Sequence, residues 1–99
     1  MKITRTKMTP IQKLESFKAR LIEYLKLKVE QHDFHGVSDA ANDIREVEAK
    51  IAVLKELEAT GKIQIKSPYI PADKQEDVNR ISTEYAKALA EALKKDLQT

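Results

Sequence analysis

The chain has 99 residues, with 18 Lys and Arg against 16 Asp and Glu, a formal net charge of +2 and no Cys. That is the length of one domain with a modest core. It excludes disulfides, thiolate metal sites and a thiol nucleophile, and no stretch approaches the roughly 18 uninterrupted apolar residues of a membrane helix. Met1–Pro10 is basic but has no apolar run behind it, so it does not read as a signal peptide. These features predict a soluble cytoplasmic protein with no membrane partner. The small net charge conceals an uneven distribution. Residues 1–31 hold eight Lys/Arg against three Glu, and residues 32–61 hold three against seven acidic residues. A basic helix beside an acidic one explains that division. A basic surface for phosphates is the alternative.

Met1–Met8 alternates Lys2, Ile3, Thr4, Arg5, Thr6 and Lys7, and reads as a basic arm, extended or frayed. The first helix is predicted over about 10–31. Thr9, Pro10 and Gln12 form a capping-box signature, with Thr9 as N-cap and Pro10 as the first helical residue. Ile11, Leu14, Phe17, Leu21, Ile22, Leu25 and Val29 then make one apolar stripe. Leu27 lies off it and Tyr24 at its edge, a hint of a second contact surface.

A boundary falls at Gln31-His32-Asp33-Phe34-His35-Gly36, where Asp33 is placed to cap the next helix. Gly36 in the first turn costs about 1 kcal/mol relative to Ala. A close helix crossing, a ligand near the backbone or a plain loop each accounts for it. The second helix, about 33–60, is the strongest signal. Val37, Ala40, Ile44, Val47, Ile51 and Leu54 repeat at alternating intervals of three and four, the a/d pattern of a coiled coil. Gly61 is its natural C-cap. About 27 residues at 1.5 Å each make a rod of roughly 40 Å, long for a compact chain of this size. The expectation is an elongated hairpin, or a homo-oligomer that covers an exposed seam.

Residues 62–70 break the helical pattern. Lys62-Ile63-Gln64-Ile65-Lys66 alternates with period two, as a short strand does, and Pro68 and Pro71 disfavour helix at the residues before them. An irregular extended connection fits equally. The last helix is predicted over about 72–98. Asp73, Glu76 and Asp77 lie near its start and Lys94 and Lys95 near its end. Its expected apolar face is Val78, Ile81, Tyr85, Leu89, Ala92 and Leu93. Together these elements predict an all-α fold: an antiparallel helical hairpin or coiled-coil-like bundle of three helices with a short extended segment at 62–70.

One cluster suggests a site. His35, Asp39, Asn42 and Glu46 share roughly 60° of arc on the second helix, opposite its apolar seam, at about 100° per residue. This is a solvated face, a partner-binding surface or, least of all, part of a divalent-metal site. The Glu-x-x-His motif of di-iron bundles is absent, and no phosphate loop, zinc spacing, nucleophile motif or cofactor motif is present. Lys2, Arg5 and Lys7 join Lys62 and Lys66 in one positive patch if the two extended segments pair, and Tyr69 then has a base on which to stack.

Asp33-Phe34-His35-Gly36-Val37-Ser38-Asp39-Ala40-Ala41-Asn42-Asp43-Ile44-Arg45-Glu46-Val47-Glu48-Ala49 resembles an element of small, uncharacterised phage proteins. The resemblance covers roughly a fifth of the chain and transfers no functional residue. It implies a phage accessory protein in the host cytoplasm. Many of these block host defences by binding a defence protein or sequestering a nucleotide signal. The function expected is therefore non-enzymatic binding of a host protein or a small anionic nucleotide ligand. A nucleic-acid regulator using the basic arm and a metal-dependent hydrolase are the alternatives.

Overall fold

The computed structural model describes residues 8–96. Three helices form in the expected order: α1 (Pro10–Glu30), α2 (Phe34–Thr60) and α3 (Gln75–Asp96), the last preceded by a 3-10 turn at Ala72–Lys74. The start of α1 is the reciprocal capping box. The Thr9 hydroxyl accepts from the Gln12 N–H at 3.1 Å, and the Gln12 side chain accepts from the Thr9 N–H at 3.0 Å.

The reversal between α1 and α2 takes three residues, Gln31, His32 and Asp33. His32 sits in the left-handed region at φ 57°. Its N–H reaches the Val29 carbonyl and the Asp33 N–H reaches that of Lys28, both at 3.0 Å, so carbonyls at the end of α1 are satisfied by a Schellman-type closure. Asp33 then caps α2 by accepting from the Gly36 N–H at 3.0 Å. Gly36 therefore belongs to the first turn of α2 and not to a loop. A Cβ there would lie 2.9 Å from both Asp33 Oδ2 and Lys28 Cδ. The missing side chain lets Lys28 fold across the junction, where its ammonium lies 3.4 Å from Asp33 and 5.2 Å from the Tyr24 ring centre.

Beyond the turn the helices run antiparallel. Lys18–Glu48 and Glu15–Lys55 bridge them at 3.8 Å, so the basic-beside-acidic expectation holds for this pair. The seam of α2 supplies most of the core. Ala40, Val47, Ile51 and Leu54 are buried, with Leu14 from α1. Ile11, Leu21, Leu89, Ala90 and Leu93 pack around that cluster. Within the chain, α1 and the second half of α3 thus pack over this part of the seam. The molecule spreads in two directions and is thin in the third. Its extents are 49 × 47 × 20 Å and its radius of gyration is 17.1 Å, against about 13 Å for a compact chain of 100 residues.

No strand forms among the described residues. Residues 62–65 are extended but lie against α3. The Ile63 N–H donates to Thr83 Oγ1 at 2.8 Å and the Ile65 N–H to Asn79 Oδ1 at 2.9 Å. Gln75 Nε2 donates to both the Ile65 carbonyl and Asn79 Oδ1. The fit follows from two repeats. Two extended residues advance about 6.6 Å, and four helical residues advance about 6 Å. Side chains one turn apart, Asn79 and Thr83, can therefore serve alternate residues of the extended chain, Ile65 and Ile63. Ile63 is only 1% exposed and Ala86, one turn after Thr83, is fully buried.

This docking changes the orientation of α3. Its inward side includes Asn79, Thr83 and Ala86, while Ile81 and Tyr85 are exposed at 57% and 53% and Ala92 is exposed too. The apolar face expected from hydrophobicity alone is thus only partly buried. The polar ladder must face the extended segment, and that rotates Ile81 and Tyr85 outward. In α1 the stripe is likewise incomplete, because Phe17 and Val29 remain 42% and 47% exposed.

Two substitutions test these junctions by thermal or urea unfolding. His32→Gly removes the cost of a left-handed L-residue and raises stability by about 1 kcal/mol. Thr83→Val keeps the shape but leaves the Ile63 N–H without its acceptor, and lowers stability by about 1–2 kcal/mol.

Candidate partner-docking site on α2 and α3

The predicted site residues separate into three groups. His35, Asp39, Asn42 and Glu46 are all exposed on one side of α2. Asn42 accepts from Arg45 at 3.1 Å. No group of three His, Cys, Asp or Glu among the described residues is placed to hold a metal ion. His35, Asp39 and Glu46 lie on a single helix, and no residue of α1 or α3 completes a ligand set with them.

Lys62, Lys66 and Tyr69 lie on the connection between α2 and α3, and all are exposed. Tyr69 is 92% exposed. It is presented by a turn in which the Ile70 N–H reaches the Ser67 carbonyl at 3.2 Å and the Tyr69 N–H reaches Ser67 Oγ at 3.2 Å. Pro68 and Pro71 limit the conformations of that turn. Lys2, Arg5 and Lys7 lie outside the described residues.

A groove of about 430 Å³ runs beside Lys62 and Gln64 along α3. Its charges are mixed. Lys62, Arg80 and Lys87 face Glu76 and Glu84, and Arg80 is already engaged by Asp77 at 3.7 Å and Glu84 at 3.6 Å. With Arg80 paired and two acids among the three cations, an anionic ligand meets no concentrated positive field.

The α2 side is different. At its lower end Glu46 borders a notch of about 230 Å³ with Ala49, Lys50, Val53 and Tyr85. Ile81 lies one turn before Tyr85 on α3, also exposed. The polar row singled out on α2 therefore leads into an apolar notch made by two helices. Sequence reasoning missed the notch by placing Ile81 and Tyr85 in the core. Gln75, Asn79 and Thr83 were the available signal, since a polar row at four-residue spacing beside an apolar face needs a partner of its own.

Near this face Asp33 is held below its ordinary pKa of 3.8, first by the Gly36 N–H, against partial desolvation, and then by Lys28 and His35. No match to the chain is found among family models, curated proteins or solved structures.

Because the folded pKa of Asp33 lies below its unfolded value, its charge stabilises the fold above the unfolded pKa, and that contribution is lost as pH falls through the folded one. Asp33→Asn retains a capping side chain. Its melting temperature should fall below that of the parent at neutral pH, and the gap should close on acidification below 3.8. A pH-independent gap would show that the charge is immaterial.

Proposed function

We propose that this chain is a non-enzymatic helical binding protein that acts by occupying a protein partner through the α2–α3 notch. The observation that carries this is the exposed Tyr85 set beside Val53 in the notch, with Ile81 exposed one turn earlier on α3. Large apolar side chains on a rigid support lose little entropy when they bind, and aromatic residues recur among the side chains that dominate interface energetics. Together with the phage-like element of α2, this favours an accessory factor that inhibits a host protein. A small nucleotide ligand is less well served, because the groove beside Lys62 interleaves two acids with its three cations and the α2 face is acidic.

A nucleic-acid reading has one observation of its own, the fully presented Tyr69 with Lys62 and Lys66 on the same connection. It predicts binding to single strands that weakens steeply with salt. Replacement of Lys66 and Tyr69 by Ala should abolish such binding, and unchanged binding rejects this reading.

For the leading proposal, the tagged chain is used to capture partners from bacterial lysate. Tyr85→Ala and Ile81→Ala should each weaken capture, by about 2 kcal/mol or roughly 30-fold for a central contact. Phe34→Ala, which removes an exposed aromatic on α2 outside the notch, should not. Helical circular dichroism confirms that each variant folds. Equal capture by all variants rejects the notch as the docking site.

A further inference from the structure

The α2 face that leads into the notch carries three carboxylates against one cation, Lys50, four residues after Glu46. Asp39, Asp43 and Glu46 are exposed and occupy positions i, i+4 and i+7 of one helix. None of them forms an ion pair among the described residues. Two other acids of α2 do have partners: Glu48 meets Lys18 at 3.8 Å and Glu56 accepts from the Gln64 N–H at 2.8 Å. Arg45 is turned to Asn42 and not to an acid. Like charges at helical spacing repel, so the free protein holds a net negative row from Asp39 to Glu46. Lys50 is the one cation at the notch itself.

The geometry points to an occupant of matching chemistry, and this inference rests on the protein-docking reading above. We infer that the surface takes a basic amphipathic helix from the partner. Its apolar side enters the notch at Ala49, Val53 and Tyr85, with Ile81 beside it. Its Lys and Arg residues lie along Asp39, Asp43 and Glu46. From Asp39 to Val53 α2 advances about 21 Å, which matches roughly four turns of a partner helix. A cationic helix relieves the repulsion that the row sustains alone, whereas nucleic acid or an acidic helix intensifies it. Apolar contact supplies affinity and the charged row selects the partner and its orientation.

The test uses the full chain and two synthetic helical peptides of about 18 residues, about five turns. They share a Leu/Ala face, and one carries Lys and the other Glu on the polar face. Calorimetry should detect the Lys peptide, with affinity falling as salt rises, and should not detect the Glu peptide. Asp39→Lys with Glu46→Lys should weaken binding by at least about tenfold, and Tyr85→Ala should weaken it too. Glu23→Lys with Glu30→Lys, the same charge change on α1, should have a much smaller effect. Asp43→Lys should raise the melting temperature of the free chain while lowering peptide affinity, a combination that a purely structural role does not produce.

Equal binding of both peptides, absence of Lys-peptide binding, or equal loss from the α1 control pair overturns the inference. So does a dimer in light scattering that Tyr85→Ala dissociates, because the occupant is then a second copy. A lysate partner that requires Tyr85 but is indifferent to the Asp39 and Glu46 reversals leaves the docking proposal standing and removes the basic helix. A partner indifferent to Tyr85 removes the docking proposal itself.

Discussion

The row Ala40, Val47, Ile51 and Leu54 on α2 is the constraint from which the rest of the architecture follows. These side chains are buried, yet the helix that carries them has water on most of its circumference. One helix cannot hide such a row alone, so α1 must return along it. A three-residue reversal achieves this by combining a left-handed His32 with the Asp33 cap. The second half of α3 then covers what α1 leaves open, through Leu89, Ala90 and Leu93. The first half of α3 faces a different demand. It must satisfy an extended segment that has no strand beside it, and it does so with amide and hydroxyl side chains.

That second demand produces the candidate site. Had α3 buried its most hydrophobic side, Ile81 and Tyr85 would lie inside. Instead Asn79 and Thr83 take inward positions, and the apolar side chains are displaced toward the edge of α2. The exposure of Tyr85 is thus a result of how the connection is secured. The acidic face of α2 reaches the same place from the other direction, through Glu46.

Local signals were legible in the residues because their partners are close in the chain. The Thr9 box, the Asp33 cap and the Gly61 C-cap, at φ 75°, each involve residues within one turn. The a/d row was legible for a similar reason, since periodicity reports a helix face directly. The orientation of α3 was not. It depends on pairings such as Ile63 with Thr83, twenty positions apart, and hydrophobic spacing contains no information about a polar ladder that an extended segment occupies. The same limit applied to the site. His35, Asp39, Asn42 and Glu46 were recognisable as one face, but the notch that gives the face a use requires knowing which side of α3 meets Val53.

The thinness of the molecule, 20 Å in its shortest dimension, bears on how such a chain evolves. Among the described residues only Leu14, Ala40, Val47, Ile51, Leu54, Ile63 and Ala86 are buried. All are aliphatic, and aliphatic cores accept many exchanges that conserve volume. Most other positions touch water and tolerate wide substitution at little cost in stability. Sequence change in such a chain is therefore checked by a handful of aliphatic positions, and the hairpin and the strapped third helix survive exchanges across most of the remaining surface.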